Sequence, residues 1–287
     1  MTQKINTICV CGAGTMGSGI AQVCATAGYK TILYELNEAV LEKAKASIDK
    51  GLKFLLSKNK ISAEQKQTIE SQIVFTNNFT DCIADLYIEA IIENPEIKIK
   101  LFNQLSANNQ QAIFATNTSS LSVTSIAERL PNPKHLVGVH FFNPAPVMKL
   151  VEIVKTKFTD DAVIEMIEFV IKKMGKTPVI CNDAPGFIVN RVARPFYIES
   201  LRIAEEGLAD FETIDRLLEN AGFKMGAFKL MDLIGNDINY TVSCSVYEQL
   251  NQPAHLQPSY IQQQKVEQGE LGVKTGKGYY EYHDLKE

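Results

Sequence analysis

The apolar run INTICV stops at Val10, and three glycines follow almost at once, Gly12, Gly14 and Gly17. The amphipathic stretch TMGSGIAQVCATAG begins among them. G-x-G-x-x-G spacing alone is common, and an ordinary tight turn would account for it. Between a β-rich run and a helical one it restricts the chain much further. The first glycine then permits the turn, the second lets backbone approach a diphosphate, and the third lets the helix pack closely on the strand. The helix start, with Met16 in its first turn, offers unpaired N–H groups and the positive end of the peptide dipoles to that diphosphate.

A dinucleotide makes a second demand, an acid about 20 residues further on at the end of the next strand. KTILYEL supplies Glu35, 18 residues after Gly17. A carboxylate there accepts from both ribose hydroxyls and repels a 2′-phosphate, which favours NAD over NADP. The alternative is a helix-packing turn with a stray surface glutamate. Strand, glycines, helix, strand and acid in that order favour the dinucleotide.

The same alternation continues. Apolar residues at helical spacing from Glu38 to about Lys58 (Val40, Leu41, Ala44, Ile48, Leu52, Leu55, Leu56) predict a helix. ADLYIEAIIE, AIFATNTS, HLVGVHFF, KLVEIVKT and TPVICN read as strands. PEIKIKLFNQLSAN, LSVTSIAERL and DDAVIEMIEFVIKKMG read as helices. Such alternation implies an α/β domain with a Rossmann-type, mostly parallel sheet covered on both faces. After NDAPGF every stretch looks helical, including VNRVARPFYIESLRIAEEG, FETIDRLLENAG, FKLMDLIGNDINYTVSCSVYEQL and SYIQQQKVEQG. The boundary is expected near Asp183 to Gly186, giving an α/β domain over 1–184 and an all-helical one over 185–287.

The 287 residues are 45% hydrophobic and 22% charged, enough for a substantial core. A net charge of −4 provides no overall basic field, so a nucleic-acid partner is not expected. The six cysteines (Cys9, Cys11, Cys24, Cys82, Cys181, Cys244) show no CxxC pair. They read as reduced core thiols of a cytoplasmic protein, and no metal is expected. MTQKINTICV is strand-like rather than leader-like, and no apolar run approaches the ~20 residues of a membrane span.

A dinucleotide site calls for a substrate site beyond the carboxyl ends of the strands, where ATNTSS, GVHFFNP and PGFIVNR concentrate polar residues. His135, His255 and His283 fall in polar, exposed-looking settings, whereas His140 closes an apolar strand. Alone it reads as a core histidine. Glu152, in KLVEIV, changes that, because a carboxylate with apolar neighbours on both sides needs a partner. A His–Glu pair would satisfy both groups, fix the imidazole tautomer and raise its basicity, as proton abstraction from an alcohol requires.

NTSSLSVTSIA, HFFNPAPVMKLVEIV, NDAPGFIVNR and KTGKGYY resemble the L-3-hydroxyacyl-CoA dehydrogenase family, over essentially the whole chain. At this length the chain is similar to the stand-alone bacterial 3-hydroxybutyryl-CoA dehydrogenases. The resemblance implies His140 as general acid/base, Glu152 as its partner, and Ser119 and Asn190 around the substrate 3-oxygen. It implies Glu93, Lys98, Asn117 and Asn143 near the nicotinamide half of NAD, an acyl-CoA substrate of short chain, and a homodimer built on the helical domain. Fatty-acid oxidation, butyrate formation and aromatic-acid breakdown all use such a reaction.

EKAKASIDKGLKFLLSKNK carries six lysines against two acids, a basic island in an acidic chain. Lys50, Lys53 and Lys58 could meet the phosphates of CoA; a solvated helix face is the alternative. The resemblance favours the first, because the family sets this helical region over the CoA adenine end, and Lys50 and Lys53 are the candidates. Two departures stand out. MGAFKL puts Ala227 and Lys229 where the family has proline and glutamate near the expected substrate mouth, and Glu35 replaces the commoner aspartate. Among rivals, 3-hydroxyisobutyrate and 6-phosphogluconate dehydrogenases use a catalytic lysine rather than a His–Glu pair. A gulonate-type dehydrogenase keeps a related pair without CoA, and a crystallin-like relative would keep the fold without the chemistry.

Overall fold

The computed structural model describes residues 4–282, so His283 lies outside the described residues. The chain divides into two compact units between Asp183 and Ala184. In the first unit eight strands form one sheet: β1 (Thr7–Cys11), β2 (Lys30–Tyr34), β3 (Ile73–Thr76), β4 (Leu86–Glu89), β5 (Ile113–Thr116), β6 (Leu136–Phe141), β7 (Leu150–Lys155) and β8 (Thr177–Asn182). Their order is β3-β2-β1-β4-β5-β6-β7-β8. β1 to β6 are parallel; β7 is antiparallel to β6, and β8 is parallel to β7. The order reverses between β2-β1 and β4, the point at which ligands bind such sheets.

Among the described residues of this unit the α-helices are α1 (Thr15–Thr26), α2 (Glu38–Ser57), α3 (Ala63–Ser71), α4 (Pro95–Asn108), α5 (Val123–Ala127) and α6 (Asp161–Lys173). Local chemistry sets their starts. Asn37 caps α2 by accepting from the N–H groups of Ala39 and Val40. Asn94 does the same for α4, with Pro95 at its first turn. In α2 the buried residues Leu41, Ala44, Ile48 and Leu52 join Ile8, Val10, Ile20, Leu33 and Ile88 in the core over the sheet.

Strand β3 and helix α3 are additions to the sequence expectation. IVFT is only four residues long, and AEQKQTIES buries just Ile69, so neither carries a strong periodic signal. β3 is recruited by pairing with β2 at the sheet margin.

The second unit contains α7 (Val189–Glu205), α8 (Phe211–Asn220), α9 (Ala227–Ile234), α10 (Asn236–Gln249) and α11 (Tyr260–Glu267). The stretch read as one helical run, FKLMDLIGNDINYTVSCSVYEQL, is two helices. Gly235 breaks it at φ 104°, a conformation an L side chain rarely adopts. Tyr197, Leu201, Ile214, Phe228, Met231 and Tyr279 form the core of this unit. Among the described residues, no helix of either unit is long and apolar enough to cross a membrane.

Candidate active site

The glycine loop connects β1 to α1, and its three glycines do different work. Gly12 has φ 100°, and a Cβ on it would sit 2.7 Å from the carbonyl oxygen of Ala90, just beyond β4. A Cβ on Gly17 would come to 1.7 Å from the Gly12 carbonyl oxygen, so helix and strand are in backbone contact there. At Gly14 nothing lies within 4 Å, and the residue is exposed at the N-cap of α1, which has no side-chain cap. This open place beside uncapped N–H groups fits an anion. Met16 is half-buried against the core.

Glu35, half-buried just past β2, accepts from the Ala13 N–H at 3.0 Å and from the Asn37 N–H at 3.1 Å. A carboxylate has about four acceptor sites, so two remain for ribose hydroxyls. The residues fit a dinucleotide without a 2′-phosphate.

The loops after β4 and β5 are tied together through Glu93, which is exposed but paired with a buried ammonium. Lys98 on α4 is 1% exposed, and its ammonium donates to Glu89 at 2.5 Å and lies 3.1 Å from Glu93. Glu89, at the end of β4, is wholly buried and also accepts from Thr116 Oγ1 (2.7 Å) and the Ile91 N–H (2.8 Å). Burial pushes the Glu89 carboxyl above the usual carboxylate range, Lys98 opposing it. At Glu93 burial also pushes upward, but Lys98 and the hydroxyl donors outweigh it and hold the carboxyl below that range. Those donors are the Thr118 hydroxyl and Ser120 Oγ (3.0 Å), and the Ser119 N–H adds a bond at 3.2 Å. Glu93 therefore organises the N-T-S-S loop.

Asn117 joins the next pair of strand ends, its Oδ1 accepting from the Phe141 N–H at 2.9 Å. Sequence reasoning missed Glu89, although LYIEA gives the same signal as KLVEIV, a carboxylate in an apolar strand.

His140 and Glu152 are cross-strand partners in the β6–β7 ladder. Directly opposite residues of an antiparallel pair project to the same face, and here His140 Nδ1 lies 2.7 Å from Glu152 Oε2. Both side chains are buried, and the Phe142 ring is 4.5 Å from the imidazole, centroid to centroid. β7 reads as a strand from sequence, but only its reversed direction puts the two side chains face to face. His135 departs from expectation: it is half-buried, with Nδ1 3.2 Å from the Ala112 carbonyl oxygen, whereas His255 is exposed. Asn143 is exposed in the segment joining β6 to β7 and is linked to Pro144 by a cis peptide.

On α2, Lys50 and Lys53 are both exposed, and Lys53 pairs with Asp49 at 2.7 Å. In the second unit Asn190 is half-buried at the start of α7. Its carbonyl accepts from Arg194 Nε at 3.0 Å, while the same guanidinium bonds the Asn239 carbonyl oxygen (3.0 Å) and Ser243 Oγ (2.8 Å) on α10. Burial pushes the Arg194 guanidinium down to about 10. Lys229 is held on Glu219, at 2.9 and 3.1 Å, and Ala227 is fully buried at the first position of α9. Among the described residues no group of three His, Cys, Asp or Glu could hold a metal ion.

Comparison with known proteins bears on both units. Residues 7–184 match the family model described as 3-hydroxyacyl-CoA dehydrogenase, NAD binding domain, and residues 186–282 match its C-terminal domain. The chain is 43% identical over 290 residues to the 3-hydroxyadipyl-CoA dehydrogenase of Escherichia coli, all of this chain being covered but only 61% of that protein. It is 38% identical to the mitochondrial hydroxyacyl-coenzyme A dehydrogenase of Sus scrofa, covering 97% of this chain and 91% of that protein. Among solved structures, the (S)-3-hydroxybutyryl-CoA dehydrogenase of Ralstonia eutropha superposes with a TM-score of 0.93 at 34% identity, covering 98% of this chain and 100% of that one.

Proposed function

Because the chain belongs to the 3-hydroxyacyl-CoA dehydrogenase family, we propose that it interconverts (S)-3-hydroxyacyl-CoA and 3-ketoacyl-CoA with NAD, acting on short chains such as the 3-hydroxybutyryl ester. The observation that carries this reading is the buried His140–Glu152 pair at the end of the sheet that also holds the glycine loop.

NAD, when bound, supplies the acceptor for the hydride that leaves C3. The rest falls to side chains and backbone of this chain. With Glu152 ionised, Nδ1 of His140 carries the proton of their hydrogen bond, so the basic lone pair of the neutral ring is on Nε2. Nε2 takes the 3-hydroxyl proton in oxidation and returns it to the 3-oxygen in reduction. Glu152 holds the tautomer and stabilises the imidazolium between those events. Ser119 orients the 3-oxygen and shares its partial negative charge. On the cofactor side Gly12, Gly14 and Gly17 shape the diphosphate cradle, with Met16 beside it, and Glu35 takes the ribose hydroxyls. Glu93, Asn117 and Asn143 serve the nicotinamide half. Lys98, buried between two carboxylates, acts there through Glu93.

The test is consumption of NADH with acetoacetyl-CoA, beside NADPH and beside 3-ketoadipyl-CoA, the last because the Escherichia coli relative is named for the adipyl ester. Turnover with acetoacetyl-CoA is expected. NADPH should be weaker in kcat/KM by about 100-fold, the result of roughly 3 kcal/mol of repulsion between Glu35 and a 2′-phosphate. No turnover with either ester would move the reading to a CoA-free hydroxy acid. Preference for the adipyl ester would correct the chain length.

The lysines of α2 receive the CoA phosphates in this reading. Lys50→Ala with Lys53→Ala is expected to raise KM for the CoA ester about 30-fold, each of the two phosphate contacts being worth of order 1 kcal/mol, and to leave KM for NADH alone. An unchanged ester KM would remove the assignment.

The helical unit supports a homodimer. Val192 is 72% exposed, Leu217 65% and Leu233 57%, apolar surface that a second copy would cover. Light scattering should give twice the chain mass of 31.9 kDa; the monomer mass would refute it. Among the described residues the six cysteines are free thiols, which suits the reducing cytoplasm.

A further inference from the structure

Lys176 lies between α6 and β8 and has no part in the chemistry described so far. It is buried, and among the described residues its ammonium meets backbone carbonyls rather than a carboxylate. It donates to three backbone carbonyls of the segment joining β6 to β7, those of Ala145 (2.6 Å), Met148 (2.8 Å) and Pro146 (3.3 Å). Burial holds its proton affinity below the ordinary lysine range. A buried ammonium facing neutral acceptors is costly, and an apolar side chain of the same length would fill the volume without that cost.

The segment has a second neighbour. A Cβ added at Gly19 of α1 would sit 3.1 Å from Pro146 Cδ and 3.2 Å from Ala145 Cβ, so the 145–146 turn rests on the helix that follows the glycine loop. The segment therefore runs from the His140 strand to the Glu152 strand with Asn143 at its start, α1 on one side and the Lys176 ammonium gathering its carbonyls.

We propose that Lys176 is a positioning residue: by holding the carbonyls of 145–148 it fixes Asn143 and the adjoining turn against α1 and so sets the affinity for the nicotinamide cofactor. This rests on the reading of Asn143 as a nicotinamide contact.

The test uses Lys176→Met, which keeps the stem without the donors, and Lys176→Gln, which keeps two donors on a shorter stem. NADH affinity is read by fluorescence titration, independently of turnover, and KM and kcat are then measured with the ketoacyl-CoA ester. Lys176→Met is expected to keep its circular dichroism, to weaken NADH binding and raise its KM about tenfold, and to leave KM for the ester within about twofold. Lys176→Gln should recover part of the loss. Lys172→Met, at an exposed lysine paired with Glu168 at 2.7 Å, should change nothing.

Unchanged NADH affinity in a folded Lys176→Met, or equal losses for both substrates, would overturn the proposal. So would failure of both variants to fold, which would assign the amine to the fold itself. If the unmodified protein binds NADH yet reduces no ketoacyl-CoA, the proposed reaction fails, and the NADH affinities still decide the role of Lys176.

Discussion

Replacing His140 with glutamine is expected to slow turnover by about 10²- to 10⁴-fold while leaving NADH affinity within about twofold. Glutamine keeps a donor for the carboxylate of Glu152, so the buried charge is not orphaned and the fold should survive. What is lost is the nitrogen proposed to exchange the 3-hydroxyl proton. Glu152→Gln attacks the same unit from the other side. An amide can donate to Nδ1, which moves the ring proton to Nε2 and leaves the wrong nitrogen basic; a loss of the same order is expected. Because the pair works as one device, the double variant should be hardly slower than His140→Gln alone. Steady-state kinetics with NADH titrations decides the matter. Near-normal turnover in either single variant would end the assignment.

The second large effect separates two kinds of glycine. Gly17→Ala forces a Cβ to within 1.7 Å of the Gly12 carbonyl oxygen, and backbone must move because no flexible side chain can yield. A stability loss of about 3 kcal/mol in denaturant melts is expected, together with loss of NADH binding. Gly14→Ala meets nothing within 4 Å and has an ordinary φ of −66°. Its stability should stay within about 0.5 kcal/mol of the unmodified protein. Its NADH affinity should still fall on the order of 10- to 100-fold, since the methyl group occupies the space open to the diphosphate. If Gly14→Ala binds NADH normally, the open place is not the diphosphate site.

Much of this is legible in the sequence. The strand–glycine–helix–strand–acid order, the His140–Glu152 pair and the all-helical C-terminal stretch all follow from burial cost and periodicity. Strand direction did not follow, because alternation of apolar residues is the same whichever way a strand runs; the reversal of β7 became visible only in the ladder. Lys98 was expected beside the cofactor, and nothing in PEIKIKLF announces that its amine is enclosed by Glu89 and Glu93. Gly235 was hidden inside an apolar run whose periodicity continues on both sides of the break. Lys176 sits next to Gly175 at a helix end, where a lysine ordinarily reads as solvated charge.

The pairing of His140 with Glu152 across a ladder has a further consequence. Their separation is set by main-chain hydrogen bonds between strands, so it is indifferent to the length of the segment between them. Insertions in residues 142–149 could alter what that segment touches without moving the imidazole from its carboxylate. A slip of β7 by a single residue would do the opposite, turning Glu152 to the other face of the sheet while every strand remained in place. The His140–Glu152 distance is in effect a register, protected by the cooperativity of the whole ladder and vulnerable to frame rather than to side-chain change.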